Sequence, residues 1–226
     1  MQEPSEFFER RTAADVVFDN LQSEIVSLRL LPRTKLSEVE VARRFGVSRQ
    51  PVRDAFARLA REDLLLIRPQ KATEVRGFSM KQIAHARFVR LAVELEVVHR
   101  ACAAWDSDAA RVLEENTTRQ HRAIESQNFA EFHTLDYEFH KSICDRSGYP
   151  LAAQTIEDCK KKIDRICVLS LGREAEVEAL FEDHLALSKA LSDGAVEQSR
   201  TILRRHLERL DQTIADIHVK HASYFE

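Results

Sequence analysis

The sequence predicts a mainly α fold in two parts: an N-terminal winged helix-turn-helix and a C-terminal all-α bundle of six helices. Three observations carry this. The 226 residues include only 5 Gly and 5 Pro, few enough for long helices. Apolar residues recur at helical spacing over most of the chain. Strand-like runs are confined to one short stretch, Leu64–Arg68 and Thr73–Arg76. The parts are residues 12–76 and 79–220, with Gly77-Phe78-Ser79 read as a short linker.

Residues 1–11 are polar and are expected to fray. A first helix follows from about Thr12 to Arg29, with Val16, Val17, Leu21, Ile25 and Leu28 at helical spacing, and Leu31-Pro32-Arg33 breaks it. A short helix, Glu38 to Phe45, ends at Gly46, and Val47 plugs the turn. Ser48 is a good N-cap for a second helix running to about Glu62. At about 100° per residue, Val52, Ala55, Phe56 and Leu59 share one side and face the core. Arg49, Gln50, Arg53 and Ala57 share another. Two forked guanidiniums, an amide and a small residue near the start of a capped helix suit base edges in a major groove. Between the two strand-like runs, Pro69-Gln-Lys-Ala72 forms a hairpin tip that can carry Lys71 to phosphate or into a minor groove. Arg43, Arg44, Ser48 and Arg68 are further candidate DNA contacts. The plainer alternative is a small helical domain with an exposed basic face, which needs no Gly turn, cap and wing together.

Charge supports a division of labour. Residues 33–76 hold 11 Lys/Arg against 6 Asp/Glu, whereas residues 78–226 hold 20 against 25. A basic head on an acidic body fits a DNA module joined to a sensing or assembly module. Cys102, Cys144, Cys159 and Cys167 form no Cys-x-x-Cys pair, so they read as small core residues rather than zinc or redox ligands. No apolar run reaches the length of a membrane span and no signal peptide is visible, so the expected compartment is a reducing cytoplasm without membrane contact.

Helical segments follow at about 79–104, 106–126, 128–147, 149–171, 174–193 and 195–220. They are punctuated by Trp105-Asp-Ser107, Gly148-Tyr-Pro150, Gly172 and Asp193-Gly194. In the third, Phe132, Leu135, Asp136, Phe139, His140 and Ile143 lie in one arc, and Asp136 and His140 project from one face at i, i+4. His184 sits mid-face among Val177, Leu180, Phe181, Leu187 and Leu191 of the fifth, and His206 among Leu203, Leu207, Leu210, Ile214 and Ile217 of the sixth. One inward histidine is ordinarily a hydrogen-bonded core residue. Three helices each sending imidazole or carboxylate inward are different, because an unpartnered carboxylate in such a core costs several kcal/mol. A divalent metal resolves that cost for all four groups. Three imidazoles and one carboxylate suit zinc best, with nickel, manganese or iron as alternatives. A purely hydrogen-bonded polar cluster stays open as the other reading.

Gly46-Val-Ser-Arg-Gln-Pro-Val-Arg-Asp-Ala55 resembles the helix-turn-helix of GntR-family bacterial transcription regulators. Leu135-Asp-Tyr-Glu-Phe-His140, followed by the single His184 and His206, resembles the FCD effector domain of the FadR-type subfamily, and six body helices resemble its VanR-like subgroup. The resemblance implies that Asp136, His140, His184 and His206 hold a metal and that Arg49 and Arg53 read bases. Val89–Glu94 and Ile163-Asp-Arg165 are similar to family segments, which makes Arg90 and Arg165 candidates to grip an effector carboxylate; the alternative for each is a surface or dimer-interface ion pair. Val39 stands where the fatty-acid regulators carry a further DNA-contacting arginine, and Pro69-Gln70 where their wing has His-Gly, so an acyl-CoA effector is not implied.

The expected protein is thus no enzyme but a homodimeric, metabolite-responsive repressor. It would bind a palindromic operator in double-stranded DNA and sense a small organic acid through its metal. A metal-dependent enzyme or a metal-only sensor built on the same three-His, one-Asp site is the alternative.

Overall fold

The computed structural model describes residues 11–170 and 174–226. The polar residues 1–10 and the expected breaker Gly172 lie outside them. The chain divides into two compact units, residues 1–79 with 223–226, and residues 80–222.

In the first unit, α1 (Ala13–Val26) starts at a reciprocal cap, in which Thr12 and Asp15 each accept from the other's backbone N–H. Such a cap satisfies donors that a helix start otherwise leaves bare. Val17, Phe18, Leu21 and Ile25 are its buried face. Val16, expected inside, is 41% exposed, and Phe18 takes the inward place. The helix ends before Leu28, which adopts φ 57°. α2 (Glu38–Phe45) closes on Gly46 at φ 65°, a left-handed cap that costs glycine least. Val47 packs against the core formed by α1, α2 and α3 (Arg49–Arg61). Val52, Ala55, Phe56 and Leu59 of α3 are all buried, as the helical wheel requires. The wing pairs β2 (Leu65–Leu66) with β3 (Thr73–Val75) in antiparallel register, Leu65 opposite Val75. A strand not anticipated, β1 (Lys35–Leu36), joins the other edge of β3. Two residues are too short to show a period.

Gly77-Phe78-Ser79, expected to be a linker, is instead built into this unit. Phe78 is 4% exposed, its N–H donates to Tyr224 O at 2.8 Å, and its carbonyl accepts from Glu226 N at 2.9 Å. The Phe78 and Phe225 rings meet at 5.4 Å, and Arg33 donates to the carbonyls of Ser223 and Phe225. A Cβ on Gly77 would lie 2.8 Å from Tyr224 O.

The second unit consists of α4 (Met80–Ala103), α5 (Ser107–Glu125), α6 (Phe129–Arg146), α7 (Ala152–Cys167), α8 (Glu174–Ser192), α9 (Val196–Glu208) and α10 (Leu210–Lys220). Asp106 and Asn128 cap α5 and α6 through their side chains, and Gly148 and Gly194 take positive φ between helices. The expected sixth helix, 195–220, is therefore interrupted. Neither Gly nor Pro marks the place. Arg209 keeps helical dihedrals (φ −55°, ψ −30°) while its guanidinium turns back to Asp183 on α8. The core joins Val98 and Ala101 of α4, Leu113 of α5, Phe139 and Ile143 of α6, Leu187 and Leu191 of α8 and Leu203 of α9. Cys144 is buried and Cys102 and Cys159 are partly so; the side chain of Cys167 is outside the described set. No helix among the described residues is long and apolar enough to cross a membrane.

Candidate metal centre and DNA-reading face

In the second unit, α6, α8 and α9 bring Asp136, His140, His184 and His206 together with one ligand atom from each within 4.8 Å of the others. All four are at most 5% exposed. His140 Nε2 lies 3.3 Å from His206 Nε2 and 3.8 Å from Asp136 Oδ1, and His184 Nε2 lies 3.4 Å from the same oxygen. Donors around an ion at about 2.0–2.1 Å in a tetrahedral set stand about 3.4 Å apart, so these spacings fit a shared cation. The buried His184 Nε2 makes no well-aligned hydrogen bond, although Asp136 Oδ1 lies 3.4 Å away. A bare lone pair facing a carboxylate oxygen is unfavourable unless a positive charge lies between them. The donor set therefore fits a divalent metal.

Burial and neighbouring charge bear on three of the four donors. Burial pushes the His184 and His206 imidazoles down, His206 well below its usual range, which favours their neutral, metal-binding forms. Burial alone would raise Asp136, but the Lys160 ammonium beside it is the largest opposing influence, and the carboxyl is held well below the usual range. Lys160, itself 7% exposed, contacts Asp136 Oδ2 at 3.0 Å and leaves Oδ1 for the centre.

Arg90 and Arg165 are each 5% exposed, so neither is a surface residue of this unit. Arg90 Nε donates to Glu94 Oε1 at 2.5 Å, and its Nη2 lies 3.5 Å from His140 Nε2. Arg90 also lines a cavity of about 240 Å³ with Phe88, Leu91, Ile163, Leu207 and Asp211. The sequence reading missed the residues that brace the histidines. Glu94 Oε2 stands 2.6 Å from His140 Nδ1, and Gln120 Oε1 lies 2.8 Å from His184 Nδ1. Asp183 gathers Arg205 and Arg209 beside His206.

In the first unit, Arg49, Gln50 and Arg53 stand exposed at the start of α3, with Ala57 on the same face. One oxygen, Glu38 Oε2, accepts from Arg49 Nη2 at 2.8 Å and from Arg53 Nε at 2.9 Å. Those hydrogen bonds, that of Arg49 foremost, hold the Glu38 carboxyl below its usual range. Gln50 donates to Asp54 at 3.0 Å. Ser48 has the extended backbone of an N-cap, but its side chain makes no capping hydrogen bond. Lys71 is exposed in the wing turn, beside Gln70 at φ 59°, and Arg43 is exposed on α2. Arg44 is paired with Glu24 of α1, and Arg68 with Glu74 of the wing at 2.9 Å.

Residues 13–75 match the family described as bacterial regulatory proteins, gntR family, and residues 86–209 match the FCD domain. The chain belongs to the GntR family and carries an FCD domain. It is 36% identical to the HTH-type transcriptional repressor RspR of Escherichia coli over 212 residues, covering 92% of each chain. It is 26% identical to the gluconate operon transcriptional repressor of Bacillus licheniformis over 95% of this chain and 90% of that one. E. coli McbR/YncC has a similar fold, with a TM-score of 0.70 at 22% identity over 94% of this chain and all of that one. The chain is a DNA-binding transcriptional regulator and not an enzyme.

Proposed function

We propose that this regulator is a metabolite-responsive repressor. It binds a roughly palindromic operator as a homodimer and senses a small organic acid at a divalent metal held by Asp136, His140, His184 and His206. The observation that carries the reading is the convergence of four buried donor atoms, among them His184 Nε2, which makes no well-aligned hydrogen bond. Zinc suits three imidazoles and a carboxylate best, with nickel, manganese or iron as alternatives. A bound divalent ion would take a carboxylate oxygen by expanding beyond these four protein ligands. Arg90, whose Nη2 lies 3.5 Å from His140 Nε2 and which also lines the cavity, would meet the acid's second oxygen or a hydroxyl. Arg165, buried on α7, is the second proposed effector contact. One relative carries gluconate, a hydroxy acid, in its name, which supports the carboxylate class.

At the DNA, Arg49 and Arg53 supply base reading, assisted by Gln50. Ser48, Arg43 and Lys71 supply phosphate or groove contacts. Arg44 and Arg68 would have to exchange their intramolecular partners for phosphate. Effector binding would change operator affinity through a coupling of about 1–3 kcal/mol.

Native mass spectrometry of the full chain, with and without a chelator, tests the sensor. A dimer with one metal per chain and a chelator-labile organic acid supports it. A metal-free dimer reduces the four residues to a buried polar cluster. If metal alone shifts operator affinity and no acid is retained, the protein is a metal sensor instead.

A further inference from the structure

Helix α5 contributes no ligand to the cluster, yet it buries two amides. Asn116 is 5% exposed and Gln120 is fully buried. They form a chain of hydrogen bonds whose direction is forced. It begins at the backbone carbonyl of Leu135, which can only accept. Asn116 must therefore present its amide nitrogen there, and Asn116 Nδ2 donates to Leu135 O at 3.0 Å. That leaves Asn116 Oδ1 facing Gln120, so Gln120 donates from Nε2, at 2.6 Å. Gln120 Oε1 is then turned to His184 Nδ1 at 2.8 Å, and the imidazole must be the donor. A neutral imidazole carries one proton. With that proton on Nδ1, Nε2 is a bare lone pair aimed at Asp136 Oδ1, 3.4 Å away.

The opposite direction would have a different consequence. Were the Gln120 amide reversed, His184 would carry its proton on Nε2 and could donate it to Asp136. The cluster would then satisfy itself as a hydrogen-bonded polar core. The direction of the relay is what separates a metal-ready centre from a closed one. The relay also begins on the residue next to a ligand, since Leu135 precedes Asp136. It thus ties α6 to α8 through α5.

We infer that Asn116 and Gln120 are positioning residues for the metal, holding His184 in the Nδ1–H tautomer so that Nε2 is free to bind it. This rests on the metal reading above, and the tests below separate the two. Outer-sphere partners of metal-bound histidines commonly contribute about 10- to 100-fold in affinity.

The first test needs no variant. Long-range ¹H–¹⁵N correlation spectra of the metal-free full chain report the tautomer of each imidazole. His184 protonated on Nδ1 is expected, and protonation on Nε2 overturns the inference. The second test measures Zn²⁺ affinity by competition with a chromophoric chelator. Gln120→Leu, which keeps the volume and removes the acceptor, should bind Zn²⁺ about 10- to 100-fold more weakly and lose the fixed tautomer. Gln120→Glu, which keeps the acceptor facing His184 Nδ1 but loses the donor to Asn116 Oδ1, should restore the Nδ1–H tautomer. A Gln120→Leu protein that folds and binds Zn²⁺ as wild type does overturns the inference and leaves the metal reading standing. A wild-type protein that takes up none of Zn²⁺, Ni²⁺, Mn²⁺ or Fe²⁺ overturns the metal reading, while the tautomer still decides the relay.

Discussion

The arginines at the start of α3 are not loose side chains awaiting DNA. Glu38 holds Arg49 through Nη2 and Arg53 through Nε, so the Nη1/Nη2 edge of Arg53 stays open. That edge can donate two parallel hydrogen bonds to guanine O6 and N7. Arg53→Ala is expected to lose about 1–3 kcal/mol of operator affinity and to relax the base preference at one position of each half-site. Selection from a random duplex library, followed by titration of the selected site, measures both. An unchanged selected sequence would remove α3 from base reading. The opposing charge on Glu38 is legible only in three dimensions, because it lies eleven residues before Arg49 on a different helix. Asp136 and His140 were legible because i, i+4 spacing fixes a shared face on one helix. Glu94, Gln120 and Lys160 were not, since a polar residue at the margin of an amphipathic helix looks the same in sequence whether it meets water or a buried imidazole.

Elements with a strong period and a marked end were the readable ones. α2, its Gly46 cap and α3 follow from apolar spacing and one glycine, and the body helices from α4 to α8 follow from spacing and their breakers. β1 is only two residues long, and the interruption between α9 and α10 carries no breaker residue. The strand depends on a partner remote in sequence, β3, and the interruption falls at Arg209, whose side chain is bound to Asp183 of α8. The packing of α3 gives a direct test of how the DNA-reading face is held. Leu59 is fully buried in the first unit's core, which it forms together with residues of α1 and α2. Leu59→Ala removes that packing and leaves a cavity, at a cost of about 2–5 kcal/mol. Urea denaturation followed by circular dichroism should show the loss in the unit of residues 1–79. A change below about 0.5 kcal/mol, the size of an ordinary surface substitution, would mean that α3 is not seated as described.

Across the whole molecule the two units should answer different perturbations. A ligand bound only to the native state stabilises it by about 2.7 kcal/mol at a hundredfold excess over its dissociation constant. At about 2–4 °C per kcal/mol for a unit of this size, saturating Zn²⁺ should raise the body's melting temperature by about 5–11 °C. Scanning calorimetry with His206→Ala as control checks this, and an equal shift in that variant would place the ion elsewhere. The first unit should answer instead to the chain's last residues. Tyr224 and Glu226 bracket Phe78 with two backbone hydrogen bonds, and Gly77 is the residue that lets them approach. A side chain there meets the Tyr224 carbonyl at 2.8 Å, and backbone cannot swing aside as a flexible side chain can. Gly77→Val should therefore expel residues 223–226 from the first unit. The Phe78 and Glu226 amides, both hydrogen-bonded in the wild type, should then exchange with solvent as fast as an open chain, while the amides of α4 to α9 keep their protection. Retained protection at Phe78 and Glu226 in Gly77→Val would show that the segment docks without the close approach. Rapid exchange at both in the wild type would show that it does not dock at all.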